Sequence, residues 1–428
     1  MISTLIIILA TNITPFLKYF TNQTTQRQRI VLEKIILCNT KKLGMKMAYC
    51  PECNESKTLY FSCKTSYCPY CGKKANKIFV QNFVDRMLPV THRHLTMTMS
   101  SGLWNIFQEN PQLQKKLIKT SFVTVQETMY IFTKKKLVPG GLGVIHTYGK
   151  DLKTNCHVHL IVTEGGYIKG TKEWESFTYF PFENRGKVWK TINQIWMENV
   201  LRLLEDFLPK TTRNKKFINY YRKKYKNGFY IYGPTKERIK TNKSRRTKAK
   251  YITRYVKHPI ISDRRIMRYD KRTVTFWYHD QFKRKRILRM DTLQFMFNVI
   301  KHIPSKNFRI VNFYGIYSNS SKNKVVIVQT VFDNNGDVVD PKDLPKDNKK
   351  KKTVCPDCKS ECLDVYLILY VRKEMSYRIL ALIPNYILFE LPGSYHYQLD
   401  INWDHQLTEV ISSLHREFYQ TILSKEYG

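Results

Sequence analysis

Apolar anchors at Phe16, Leu17, Phe20, Ile30, Val31, Ile35 and Ile36 recur every three to four residues and predict helix over the first 37 residues. The run Leu5-Ile6-Ile7-Ile8-Leu9 resembles the apolar part of a signal peptide. No positive segment precedes it and it is too short to span a bilayer, so it is expected to start a buried helix or strand. No other stretch is long and apolar enough for a membrane span. From residue 93 the period changes. Residues 94–99 alternate as a strand does, and 107–132 return to a helical period. Pro139-Gly140-Gly141 reads as a turn. Residues 142–148 and 157–163 are two apolar strands joined by the polar stretch 149–155, the pattern of a hairpin. Helix is expected at 187–207 and 292–302, and strand at 272–278, 308–317 and 325–332. His258-Pro259 should end a helix, because proline disfavours the α conformation in the residue before it. Residues 340–352 have linker composition, and no long-period repeat is present.

Composition narrows the class. At 428 residues, 42% hydrophobic and 13% aromatic, the chain can bury at least one sizeable core and is not largely disordered. Its 73 Lys and Arg against 34 Asp and Glu leave a formal charge of +39. A field of that size favours a polyanion, and nucleic acid is a better candidate than a ribosomal or membrane surface. Residues 215–230 interleave Lys215, Lys216, Arg222, Lys223, Lys224 and Lys226 with Phe217, Tyr220, Tyr221, Tyr225, Phe229 and Tyr230. That mixture suits phosphate contact with base stacking, or equally a solvated helix whose aromatics belong to the core.

Six of the ten cysteines fall between Cys38 and Cys71, three between Cys355 and Cys362, and Cys156 stands alone. Cys-x2-Cys steps in a chain of this size point to zinc in a reducing compartment rather than to a disulfide framework. Cys50-x2-Cys53 and Cys68-x2-Cys71, fourteen residues apart, match a zinc ribbon in which two knuckles complete one tetrahedral site. Cys38 and Cys63 either replace a ligand or sit as small buried hydrophobes. Cys355, Cys358 and Cys362 lack an obvious fourth partner, for which His396 and His405 are candidates.

Two further stretches carry chemistry only when taken together. His157-Val158-His159 places two imidazoles on one strand face, and His146 on the neighbouring strand of the hairpin can reach the same face. Three neutral imidazoles would leave positions open for a phosphate oxygen. The alternative is a set of partly buried, hydrogen-bonded histidines in a sheet. Downstream, Tyr251 and Tyr255 share a helical face, a spacing common in ordinary cores. Lys248, Lys250, Arg254 and Lys257 on the same segment, and Arg245 and Arg246 before it, tilt the balance towards phosphate handling.

In this order the motifs resemble the HUH endonucleases of rolling-circle insertion-sequence transposases, the insertion-sequence ninety-one group. The resemblance rests on His146-Thr-Tyr-Gly149, His157-Val-His159 with Leu-Ile-Val-Thr-Glu-Gly165-Gly166, and Tyr251-Ile-Thr-Arg-Tyr255. Val274-Thr-Phe276 with Tyr278 and Asp280, the run from His302 to Gly315, and Ser62-Cys-Lys-Thr-Ser-Tyr-Cys-Pro-Tyr-Cys-Gly72 extend it. It implies an α+β fold: a zinc-ribbon-like N-terminal domain, an antiparallel HUH sheet with flanking helices, and a basic C-terminal region. It also implies a 5′-phosphotyrosine intermediate on single-stranded or hairpin DNA ends. Mg²⁺ or Mn²⁺ is implied at His157 and His159, with His146 as third ligand, alongside Zn²⁺ at the cysteines. The expected division is 1–90 zinc-binding, 91–285 HUH nuclease, 286–340 its extension, 341–353 linker and 354–428 a cysteine-containing segment. A cytoplasmic protein, nucleoid-associated when bound to DNA, is the corresponding expectation. The rivals are a plasmid relaxase or replication initiator of the same chemistry, and a non-catalytic zinc-dependent DNA-binding protein.

Overall fold

The computed structural model describes residues 3–50, 52–53, 55–171, 173–178, 186–233, 238–239, 245–252, 260–280, 282–318, 357–358, 364–371, 377–383 and 386–390. In chain order, helices α1 (Thr4–Thr11), α2 (Ile13–Phe20) and α3 (Gln26–Ile36) lead into strands β1 (Met45–Cys50) and β2 (Glu55–Tyr60). Helix α4 (Pro69–Val84), strand β3 (His92–Met97) and helices α5 (Trp104–Glu109) and α6 (Pro111–Thr133) follow. Next come β4 (Leu137–Val138), the long pair β5 (Gly140–Tyr148) and β6 (Thr154–Thr163), and the short β7 (Gly165–Ile168) and β8 (Trp174–Ser176). Helices α7 (Lys187–Phe207) and α8 (Thr212–Lys224), strands β9 (Ile231–Tyr232) and β10 (Arg238–Ile239), and helix α9 (Arg245–Ile252) come next. The order ends with β11 (Ile266–Tyr269), β12 (Thr273–His279), β13 (Lys285–Asp291), α10 (Thr292–Ile300), β14 (Val311–Gly315), β15 (Asp364–Val371), β16 (Tyr377–Ile383) and β17 (Tyr386–Glu390).

The chain divides into two compact units, residues 1–43 with 60–353 and residues 44–59 with 354–428. This cuts across the linear division expected from the sequence, because spatial contacts rather than chain order decide it. In the first unit the main antiparallel sheet runs β10-β3-β6-β5-β14, with β9 also paired to β3. Alternation sorts its side chains. Leu95, Met97, Ile145, Cys156, Val158, Leu160 and Val162 point to a core shared with α6 and α7. Leu142, Val144 and Ile161 point to the other face, against Val80, Phe83 and Val84 of α4 and Ile252 of α9. The α6 stripe Leu113, Leu117, Ile118, Phe122, Val125 and Met129 is buried at helical spacing, and Pro111 at its first turn separates it from α5.

Pro139-Gly140-Gly141 is not a turn: Gly140 opens β5. The glycines serve close packing instead. A Cβ on Gly143 would lie 2.6 Å from Ile118 Cγ2, so the bare backbone lets α6 sit tightly on the sheet. Gly315 has a φ of +57°, and a Cβ there would fall 1.8 Å from the Pro139 carbonyl oxygen.

A second core of the same unit mixes distant segments. Buried residues of α1 to α3 pack with Val274 and Phe276 of β12 and Phe295, Met296 and Val299 of α10. Phe20 stacks on Phe297 at 4.8 Å, and Asp263 accepts from Ser3 Oγ and the Leu5 amide at the start of α1. The apolar N-terminus is therefore a buried helix, as expected, with Leu5, Ile8 and Leu9 at most 1% exposed. Among the described residues no single helix is long and apolar enough to cross a membrane.

The aromatic-basic stretch resolves mostly towards the core: Tyr221 and Phe229 are buried and Phe217 and Tyr225 pack against them, leaving Tyr220 and Tyr230 exposed. In the second unit the sheet order is β17-β16-β15-β1-β2, so a strand from residues 45–50 pairs with one from 364–371. The strand expected at 325–332 and the helix end at His258-Pro259 lie outside the described residues.

Candidate metal centres and the tyrosine helix

Register on β5 and β6 brings the three histidines together. His146 pairs directly with His157, and His159 pairs with Val144, so all three rings leave the sheet on the face opposite Val158. Their candidate ligand atoms lie within 4.8 Å of one another. His157 Nε2 and His159 Nε2 are 3.1 Å apart. Adjacent nitrogens bound to one ion at about 2.0–2.1 Å would sit about 3.0–3.4 Å apart, so the spacing fits a shared metal.

Orientation is fixed from behind. His157 Nδ1 donates to the Asn155 carbonyl at 2.8 Å, which leaves Nε2 with its lone pair outward. His159 Nδ1 lies 3.0 Å from His94 Nε2 and 3.2 Å from Thr96 Oγ1. Burial drives His157 down to about 4, partly offset by the Asn155 bond. Burial, then the neighbouring His146, His157 and His94, hold His159 well below the ordinary imidazole range. Both rings are neutral near pH 7, the state a metal ligand needs. An all-imidazole donor set is one that transition metals accept more readily than Mg²⁺, which prefers oxygen ligands.

His94 and Thr96 carry no signal of their own in the sequence. They reach the site because β3 pairs with β6 so that Thr96 faces His159. His94 also meets Tyr251 edge to face, with ring centroids 5.9 Å apart. Tyr251, partly buried on α9, is thus one histidine ring away from His159. Lys250 beside it is exposed, and Arg245, Arg246 and Lys248 lie on the same helix. Tyr255, Arg254 and Lys257 lie outside the described residues. Arg93, fully buried on the other face of β3, pairs with Glu164 at 2.8 Å and donates to the Gly233 carbonyl at 2.6 Å. That gives the glutamate of the Leu-Ile-Val-Thr-Glu run a structural partner, since a buried cation needs a counter-charge and hydrogen bonds.

The cysteines do not group as the single ribbon Cys50, Cys53, Cys68 and Cys71. One cluster joins Cys38, Cys63, Cys68 and Cys71, and a second joins Cys50, Cys53 and Cys358. The physical reason is the strand pairing that draws Cys50 and Cys53 into the second unit. In the first cluster Cys38 Sγ is 3.5 Å and Cys63 Sγ 3.7 Å from Cys71 Sγ. A tetrahedron of thiolates about 2.3 Å from zinc has edges of about 3.8 Å, so this donor set fits Zn²⁺. The thiol of Cys63 beside it, and amide bonds from Cys71 and Tyr70 at the start of α4, hold Cys68 down to about 5, towards the thiolate a metal requires. Cys156 belongs to the sheet core, and burial pushes its thiol up to about 12.

Residues 8–99 match the family model described as "Transposase zinc-binding domain", and residues 140–324 match the one described as "Putative transposase". The transposase for insertion sequence element IS801 of Pseudomonas savastanoi pv. phaseolicola is 29% identical over 299 residues, 67% of this chain and 69% of that protein. The putative transposase y4qJ of Sinorhizobium fredii is 22% identical over 312 residues, 68% of this chain and 75% of that protein. No solved structure matches the chain significantly.

Proposed function

We infer that this chain, which belongs to the insertion-sequence ninety-one group of transposases with an N-terminal zinc-binding domain, moves its DNA by tyrosine attack at the His146, His157 and His159 site. The observation that carries the reading is three convergent imidazoles with the Tyr251 ring one histidine away. DNA is the partner of a transposase, and the charge of +39 suits it. The phenolic oxygen of Tyr251 bonds to phosphorus, the bond from phosphorus to the 3′ oxygen breaks, and the phenol's proton ends on that oxygen. The products are a 5′-phosphotyrosine and a 3′-hydroxyl. One phosphodiester replaces another, so the strand can be rejoined without an external energy source. Tyr255 serves as the second nucleophile, an assignment that rests on the resemblance of the Tyr-x3-Tyr step. His146, His157 and His159 would hold a divalent ion, Mg²⁺ or Mn²⁺ by the resemblance, which would supply polarisation of the scissile phosphate. His94 and Thr96 fix the His159 ring, and Arg245, Arg246, Lys248, Lys250, Arg254 and Lys257 hold flanking phosphates.

The test is incubation with single-stranded DNA from the element ends and Mn²⁺, followed by a denaturing gel. A covalent adduct should form, and the Tyr251→Phe/Tyr255→Phe double variant should lose it. His157→Ala should abolish cleavage while keeping DNA binding. An adduct that survives in the double variant sinks the nucleophile assignment. Full transposition by that variant would favour a non-catalytic DNA-binding role.

A further inference from the structure

We propose a second structural zinc site in which Cys50 and Cys53 join Cys358, closing the second unit across the length of the chain. Cys50 ends β1 and Cys53 lies in the turn towards β2, so the two form a knuckle at one end of the sheet. β1 pairs with β15 in a register that sets Tyr49 opposite Asp364, the first residue of β15. Cys358, six residues before that strand, therefore arrives at the same sheet end as the knuckle. Its Sγ is 3.5 Å from Cys50 Sγ, although the two residues are 308 apart in sequence. All three sulfurs lie within 4.8 Å of one another.

The spacing decides between two cysteine chemistries. A disulfide needs about 2.05 Å between sulfurs, whereas two thiolates on one zinc stand about 3.8 Å apart. A Cys-x2-Cys knuckle facing a cysteine from a distant part of the chain is how a ribbon offers zinc ligands from two chain segments. The four-cysteine cluster of Cys38, Cys63, Cys68 and Cys71 stands complete without Cys50 and Cys53, so the two sites do not compete for ligands. The consequence is a metal staple that ties residues 44–59 to the C-terminal segment, with the transposase region of the sequence between them.

Elemental analysis of the full-length protein, purified with reductant, should find two zinc ions per chain, counted with His157→Ala in every protein compared so that the three-histidine site does not contribute. Cys358→Ser should retain one, and Cys358→His, which restores a zinc ligand, should return to two. A protection experiment on the unmodified protein covers the case in which the serine variant misfolds. Cys358 is exposed, yet it should resist alkylation until zinc is chelated. Two zinc ions in Cys358→Ser would overturn the proposal, as would one in the wild type. Rapid alkylation of Cys358 with zinc retained, or a Cys50–Cys358 disulfide in the reduced preparation, would do the same.

Discussion

Burial pushes His157 down to about 4 and His302 down to about 3, yet the two rings differ in what their nitrogens do. His157 uses Nδ1 on a carbonyl and turns Nε2 towards His159, which leaves a ligand position. His302 has Nδ1 3.0 Å from Thr147 Oγ1 and Nε2 3.5 Å from the Leu152 carbonyl, so both nitrogens are engaged within the fold. His302 therefore reports on stability rather than chemistry. Its ordinary value in the unfolded chain is 6.5, and the folded ring stays neutral to about 3. The unfolded state thus binds the extra proton between those limits, and the contribution is full above 6.5, falls as pH drops and levels off near 3. Denaturant titrations at neutral pH and about two units lower should show a loss for the wild type that is smaller in His302→Gln. Equal losses in both proteins would remove His302 as the cause. At this scale the alternation His157-Val158-His159 was legible from residue types, because a strand's period of two is local. His94 and Thr96 were not, because their place beside His159 depends on which strand lies next to β6.

The hairpin, α6, α7, β12 and α10 appear close to their expected spans, since a stripe of buried residues needs only the local sequence to form. The glycines before Leu142 differ from the expected turn because the same residue marks a turn or a close approach, and the packing of Tyr317 on Gly140 and of Phe122 of α6 on Gly141 distinguishes them. Gly143→Ala places a methyl against Ile118 and should destabilise the protein by about 1–3 kcal/mol, the usual cost of overpacking. Adding Ile118→Ala removes the opposing methyl and should make the glycine substitution cheaper than in the parent. A double-mutant cycle by chemical denaturation checks the coupling; strict additivity would show that α6 does not press on β5 at that point. In α8 the aromatic residues split by helical face, which the composition of the stretch could not settle.

Across the whole molecule the formal charge of +39 bears on the proposed handling of DNA. Affinity for single-stranded DNA should fall steeply with salt, as bound cations release counterions from phosphates. Replacing the exposed Lys250 by alanine should weaken binding evenly across sequences and flatten the salt slope by about 0.7, one phosphate contact on a single strand. An unchanged slope would take Lys250 out of the interface. Fluorescence anisotropy over a salt series measures both quantities.

The sequence by itself determined the strong positive charge, the residue types of the candidate metal ligands and the hairpin. These follow from charge, residue type and local period, which act over a few residues. Only the tertiary structure decided which cysteines share a cluster, that the first helices pack with β12 and α10, and that Tyr251 lies by His94. Those outcomes depend on pairings between segments far apart in the chain, such as β1 with β15 and β3 with β6. A strand's own residues specify its faces, whereas its neighbour is chosen by the burial and hydrogen bonding of the whole sheet.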